Sequence, residues 1–294
     1  MRAALLPERA VIRISGEDAT HFLQGLVTSD VGALTAGETR FAALLTPQGK
    51  ILFDFLVIAI TEDDGGGFVL DAPRALEGDL AQRLGFYRLR AKVEIARRPD
   101  LAVAVVLEGA VPADFGLAYL DPRHGALGTR IVLPTEGAAA AFRDAGFALG
   151  ESEEWQKKRI ALGVPEGGQD FIYGDTFPHE ADMDQLGGVD FQKGCFVGQE
   201  VVSRMEHRGS ARTRIVPIAY EHASPLPGVE VKIGEKAAGF LGSTANGRGL
   251  AKVRLDRIEE GLAANEKLSA GNVPITLVKP DWAKFPFPGE SAKS

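Results

Sequence analysis

The chain holds one cysteine, Cys195, in 294 residues. That excludes an internal disulfide framework and any zinc site assembled from several thiolates. No run is long enough to cross a bilayer: the longest apolar stretch, Ile51 to Ile60, is broken by Asp54, well short of the roughly 20 residues a spanning helix needs. The first residues, MRAALLPERA, lack the apolar core of a signal peptide and the Arg/Ser richness of a transit peptide, so the sequence by itself suggests a cytoplasmic protein. Basic residues are in deficit, 33 against 40 acidic, for a net charge of −7. This argues against direct nucleic-acid binding, and no membrane contact is expected. The five histidines (21, 124, 179, 207 and 222) show no HExxH or paired Cys/His spacing, so no metal site is expected. Neither a P-loop nor a GxGxxG after a strand occurs, which excludes the usual NTPase and dinucleotide signatures. What is present is 45% apolar and 25% charged residues, the mix of a globular protein long enough for two or three compact units.

Residues 10–15 alternate like a strand, and 16–27 place Ala19, Phe22, Leu23 and Leu26 on one helical face. Strands at 40–45 and 50–60 flank Thr46-Pro47-Gln48-Gly49, whose Pro and Gly suit a type I turn, so the spacing predicts a hairpin. DDGGG at 63–67 reads as a second turn into the strand FVLDA, followed by a helix at 73–84 and strands at 91–96 and 101–107. Helical patterns occupy 151–162 and 199–207. From Thr213, short alternating segments separated by Gly, Pro and Asn predict an all-β module ending near Val278, then a Pro-rich, loosely attached tail at 281–294. Hairpins mixed with helices indicate an α+β chain.

Four features could carry chemistry. In Lys193-Gly194-Cys195-Phe196-Val197-Gly198-Gln199-Glu200 two glycines bracket the thiol. A helix starting at Gly198 and the nearby Lys193 would favour thiolate; the alternative is a small buried hydrophobe. Trp155 shares a helical face with Lys158, Arg159 and Leu162, a surface for a planar ring bearing a carboxylate, or simply a half-buried Trp on a helix whose charges suit its dipole. Asp54 lies in an otherwise apolar strand face, either as a buried site carboxylate or as a wet one. Residues 160–192 carry seven acids and no Lys or Arg, whereas Lys193, Arg204, Arg208, Arg212 and Arg214 follow. This reads as a cleft wall or docking face, or as solvated surface.

KGCFVGQEVVSRMEHRG (193–209) resembles the signature of the YgfZ family, folate-binding relatives of the aminomethyltransferase (T-protein) of the glycine cleavage system. FLQGLVTSDV (22–31), LLTPQGKILFDFLV (44–57), FYRLRAKVEI (86–95), WQKKRIALGVPEGG (155–168) and FPHEADMD (177–184) follow the family in order. The resemblance implies a GcvT-like, three-lobed cloverleaf of α+β class: residues 1–210 as two interleaved folate-binding lobes split near 45 and 150, 211–280 as an antiparallel β-barrel, and 281–294 as tail. It implies tetrahydrofolate as cofactor. It also implies an accessory role in assembling or maintaining iron–sulfur clusters of client enzymes, including radical enzymes that modify tRNA, with a transient cluster contact through Cys195. Cys195 matches the family's functional cysteine; Lys193, Gly194, Gly198, Gln199 and Glu200 complete the motif, and Trp155, with Arg159, matches the folate-linked segment. Arg9 stands where the family has a second tryptophan and would meet a folate carboxylate. Departures from the T-protein matter equally. Ala161 replaces its pterin-reading glutamate, Phe53-Asp54 stands for its Asp-Asp pair, and its sequence lacks Lys-Gly-Cys. A folate-dependent aminomethyl or C1 transferase using Asp54 is the alternative; a scaffold whose cysteine only packs the core is a third.

Overall fold

The computed structural model describes residues 1–62, 65–112, 114–209, 211–221 and 223–290; the first two residues of the DDGGG turn and His222 lie outside them. Two compact units arise, one from residues 1–155 and 187–199, the other from 156–186 and 200–294.

The first unit holds two antiparallel-rich sheets. One contains β2 (Arg9–Ser15), β3 (Thr39–Leu45), β4 (Ile51–Ala59), β5 (Phe68–Pro73) and β6 (Glu94–Arg97), in the order β3-β4-β5-β2-β6. The 39–59 hairpin forms as its pattern predicts, and Gly49 N–H closes the turn on Thr46 O at 2.9 Å. Strand alternation gives the sheet two distinct faces. Ile12, Ile14, Phe53, Phe55, Val57, Leu70 and Ala72 pack on one side against α1 (Ala19–Gln24) and α2 (Glu77–Arg88). On the other side lie Arg9, Asp54, Leu56 and Asp71: Leu56 and Val11 sit opposite Asp71 in register, and Asp54 and Arg9 are two residues along those strands.

The second sheet joins β1 (Arg2–Leu5), β7 (Leu101–Glu108), β8 (Leu117–Leu120), β9 (Thr129–Pro134) and β10 (Ala148–Gly150), ordered β10-β1-β7-β9-β8. One face, with Ala104, Val106, Ile131 and Leu133, packs on α3 (Ala138–Asp144) through Phe142 and Phe147. Its opposite face carries the cross-strand pair Tyr119 and Arg130.

The second unit is built on a seven-stranded antiparallel sheet of β11 (Thr213–Ala219), β12 (Glu230–Ile233), β13 (Lys236–Ala245), β14 (Arg248–Arg254), β15 (Leu268–Ala270), β16 (Val273–Pro274) and β17 (Thr276–Leu277), ordered β16-β15-β12-β13-β14-β11-β17. It is not all-β: α6 (Leu255–Ala263) covers it with Leu255, Ile258 and Leu262. The tail is not loose through residue 290 either. Phe287 is buried in the barrel core, and Trp282 donates its indole N–H to Leu162 O at 2.9 Å, because aromatic side chains offset the entropy cost that the prolines alone suggested could not be met. The two remaining helices are α4 (Ser152–Leu162) and α5 (Gln199–Arg208).

Candidate functional site

Arg9, Asp54 and Trp155, three separate candidates in the sequence, converge in the first unit on one buried network. Arg9 donates to Asp71 Oδ1 and to Asp71 O, each at 2.6 Å. Arg130 bridges Asp71 Oδ2 at 2.7 Å and Asp121 Oδ2 at 2.9 Å, and Arg123 grips Asp121 through Nε and Nη2. Tyr119 donates its hydroxyl to Asp71 at 3.0 Å. The network thus ties the two sheets of this unit together across their facing sides. Three guanidinium groups meet three carboxylates, Asp54 acting on Arg9 through its charge.

Burial pushes the Asp71 carboxyl upward, but Arg9 and Arg130 outweigh it and hold it below the usual range; Arg123 and Arg130 do the same for Asp121. Trp155 caps this network. Its ring centroid lies 4.8 Å from Arg130 Cζ and 5.8 Å from Arg123 Cζ, and only 1% of the residue is exposed. The half-buried tryptophan with an open face is therefore corrected to a fully enclosed one. Among the described residues its indole N–H and Arg130 Nη2 have no acceptor.

Arg159 belongs to a different cluster, in the second unit. It is fully buried and bonds Asp170 Oδ2 at 2.7 Å, Gln156 Oε1 at 2.6 Å and Ser243 Oγ at 2.7 Å, with Glu166 at 3.2 Å. It fastens the 164–170 loop to the barrel and has no free edge for a folate carboxylate. The acidic 160–192 stretch is likewise drawn into internal pairs: Asp184 with Arg214 at 2.5 and 2.9 Å, and Glu180 with Lys252 at 3.0 Å. Its 168–180 part instead lines a cavity beside β13 and β14, the cleft wall among the alternatives, with Asp175 exposed. His179, Asp184 and Glu206 come close enough to share an ion, but Arg214 already binds both Asp184 oxygens and stands as the local cation.

The thiol lies in the 191–198 loop, which belongs to the first unit with the segment that fastens it. Asp190 N–H bonds Thr28 O at 2.9 Å and Thr28 Oγ1 donates to Gly188 O at 2.6 Å. The Lys193 ammonium, itself buried, donates to the carbonyls of Gln24, Val27 and Ser29 at 2.9, 2.6 and 2.8 Å. Burial lowers its pKa to about 8, with Asp30 and Asp190 opposing the fall. Lys193 is therefore engaged by backbone, which corrects its expected role beside the thiolate. Helix α5 begins at Gln199, as the 199–207 pattern predicts, so Cys195 precedes the helix by four residues.

Of the two bracketing glycines, only Gly198 is demanded by the backbone. Its φ is +81°, and a Cβ there would strike Thr46 O, whereas one at Gly194 would meet nothing. Phe196 is buried beneath the Lys193 ammonium, 5.4 Å from its ring centroid. Gln199 accepts the Phe196 N–H at 3.4 Å, and Glu200 pairs with Arg204 on the surface. Cys195 itself is exposed, which overturns the core-packing alternative.

Residues 212–285 match the CAF17 C-terminal beta-barrel domain. The chain is 30% identical to iron-sulfur cluster assembly factor IBA57, mitochondrial, of Homo sapiens, over 94% of its own length and 84% of the relative's. The chain belongs to the IBA57 family of iron–sulfur cluster assembly factors. The Mus musculus member is 31% identical with the same coverage, and the Pyricularia oryzae homologue 31% over 98% of this chain and 74% of its own. It is by the IBA57 family, rather than by the YgfZ name, that the chain is identified. These relatives are all named mitochondrial, which overturns the cytoplasmic expectation drawn from the make-up of the first residues. The fold is that of the glycine cleavage system aminomethyltransferase T from Bartonella henselae, with a TM-score of 0.74 at 16% identity over 97% of this chain and 87% of that one.

Tetrahydrofolate is what the motif resemblance to folate-binding relatives implies. Trp155, Arg159 and Arg9 do not fit it. A pteridine needs a free aromatic face and a carboxylate acceptor for its N–H donors; the ring is enclosed, Ala161 has no acceptor, and the Asp71 and Asp121 carboxylates are held by arginines.

Proposed function

We propose that this chain is an accessory factor in iron–sulfur cluster assembly whose working group is the Cys195 thiol. The observation that carries the reading is a thiol exposed on a loop whose backbone is fastened on both sides, by Asp190 and Lys193 before it and by Gly198 after it. Such a loop holds a soft ligand out to a partner at little further ordering cost. A cluster usually takes four protein ligands, so one cysteine supplies one, and the carrier or client protein supplies the rest while the cluster passes as cargo. Client enzymes, radical tRNA-modifying enzymes among them, are the proposed partners.

A T-protein-like one-carbon transfer has less support, because Asp54 is buried in the arginine network and Trp155 offers no face to folate.

The test is complementation of a strain lacking its own factor, read as the activity of a [4Fe–4S] enzyme. Cys195→Ala is expected to abolish support while leaving thermal unfolding unchanged, since the side chain is exposed. Full support by Cys195→Ala would refute the proposal.

A further inference from the structure

Lys193 and the 22–31 segment meet in a way that neither the motif nor the family name explains. The ammonium reaches into the end of α1 and the turn after it, where the carbonyls of Gln24, Val27 and Ser29 converge on it at 2.6–2.9 Å. An ammonium has three donors, and each finds one acceptor. Carbonyls near a helix C-terminus lack intrahelical partners and favour a cation. The receptor is preformed. Gln24 Oε1 accepts the N–H groups of Val31 and Gly32, Gln24 Nε2 bonds Asp30, and Thr28 is held to Ala43 through both its amide and its hydroxyl. Around the ammonium stand Asp30 from the 22–31 segment and Asp190 from its own loop, the latter taking the N–H of Gln192 and of Lys193 itself. Two residues further on, Cys195 is exposed.

We infer that Lys193 is the positioning residue for Cys195: its ammonium plugs the carbonyl cage formed by residues 24–29 and so fixes where the loop presents the thiol. It acts by geometry, not by lending positive charge to the sulfur. The inference rests on the proposed role of Cys195, but its test uses neither cluster nor client, so the two can fail separately.

The discriminating variants are Lys193→Met and Lys193→Arg. Methionine removes the charge and leaves three carbonyls without a donor. Arginine keeps the charge, but its planar fork cannot send three donors into one convergent pocket. A role through charge predicts that arginine rescues; a role through the cage predicts that it does not. Because Cys195 is the only cysteine, a nitroxide label attaches there alone, and its spectrum reports loop motion. In both variants the label is expected to become at least about threefold more mobile, and amide exchange over residues 188–197 to rise at least about tenfold, with exchange in β4 unchanged as the control for global stability. The pH midpoint of Cys195 alkylation is expected to be the same in all three proteins. Label mobility and exchange that stay at wild-type values in Lys193→Met would overturn the inference. So would restoration of both by Lys193→Arg, or an alkylation midpoint that moves in Lys193→Met alone.

Discussion

Replacing Arg130 by methionine tests whether the arginine–aspartate network is a structural joint. Arg130 is fully buried and bonds both Asp71 and Asp121, so it links β5 of the first sheet to the second sheet. Methionine fills similar volume without charge, which keeps the cavity contribution small. What remains is the cost of two buried carboxylates with reduced compensation. Breaking a buried pair by removing one partner costs about 3–5 kcal/mol, and Arg9 and Arg123 still partner one carboxylate each, so about 3 kcal/mol is expected at pH 7.

The pH dependence has a definite sign. Asp71 and Asp121 have folded-state pKa values below their unfolded value near 4. Such groups stabilise the fold above that value, and the contribution is lost as pH falls through the folded one. The variant lacks part of that contribution, and its carboxyls can escape the penalty by protonating. The difference between wild type and variant should therefore be widest at neutral pH and shrink below about pH 5. Urea unfolding followed by tryptophan fluorescence measures it, since Trp155 lies against Arg130. An equal loss at pH 7 and pH 4 would mean that packing, not charge, decides, and would refute the reasoning.

Two further outcomes are expected. Gly198→Ala should lower stability by about 1–3 kcal/mol in the same unfolding assay, because its φ of +81° and the Thr46 carbonyl leave no place for a Cβ. Asp182→Asn should raise it by about 1 kcal/mol at pH 7, measured by thermal unfolding, and the gain should vanish near pH 4. Burial holds the Asp182 carboxyl well above its ordinary range, its Oδ2 has no partner among the described residues, and asparagine tolerates its φ of +57°. A raised carboxyl stabilises only below its unfolded value and becomes a burden as pH rises.

The sequence shows its hairpin and barrel strands plainly because alternation and Pro/Gly turns are local signals. It hides β1, β8 and β10, which have three or four residues each, and α6, whose Leu255, Ile258 and Leu262 directly continue a strand. The chemistry-bearing residues are legible singly. Asp54 in a strand, Trp155 on a helix and Cys195 between glycines each stand out, but what they join does not. Asp71, Asp121, Arg123 and Arg130 are charges scattered over the chain, and only sheet register places them together; Asp71 inside FVLDA and Arg130 inside TRIVLP were the available hints. The partners of Lys193 are backbone carbonyls, which have no residue signature at all.

These placements also decide what the T-protein fold means for folate. For Trp155 to stack on a pteridine it would have to leave Arg130, whose guanidinium rests over the ring, and open a space that is now closed. Arg159 would have to release Asp170 and Ser243, at a cost of about 3–5 kcal/mol for a broken buried pair. A pteridine binding there would need to make up that loss before showing any net affinity, and Ala161 gives it no carboxylate in return. Calorimetric titration of tetrahydrofolate into wild type and Trp155→Phe is therefore expected to give the same isotherm; phenylalanine keeps one aromatic ring but removes the second ring and the indole N–H from a buried position, so the two are compared where urea unfolding shows both folded. Binding to wild type that weakens tenfold or more in Trp155→Phe, with both proteins folded under the titration conditions, would show that the network opens to admit the ligand. The enclosed tryptophan would then be a closed state of a folate site rather than part of a structural joint.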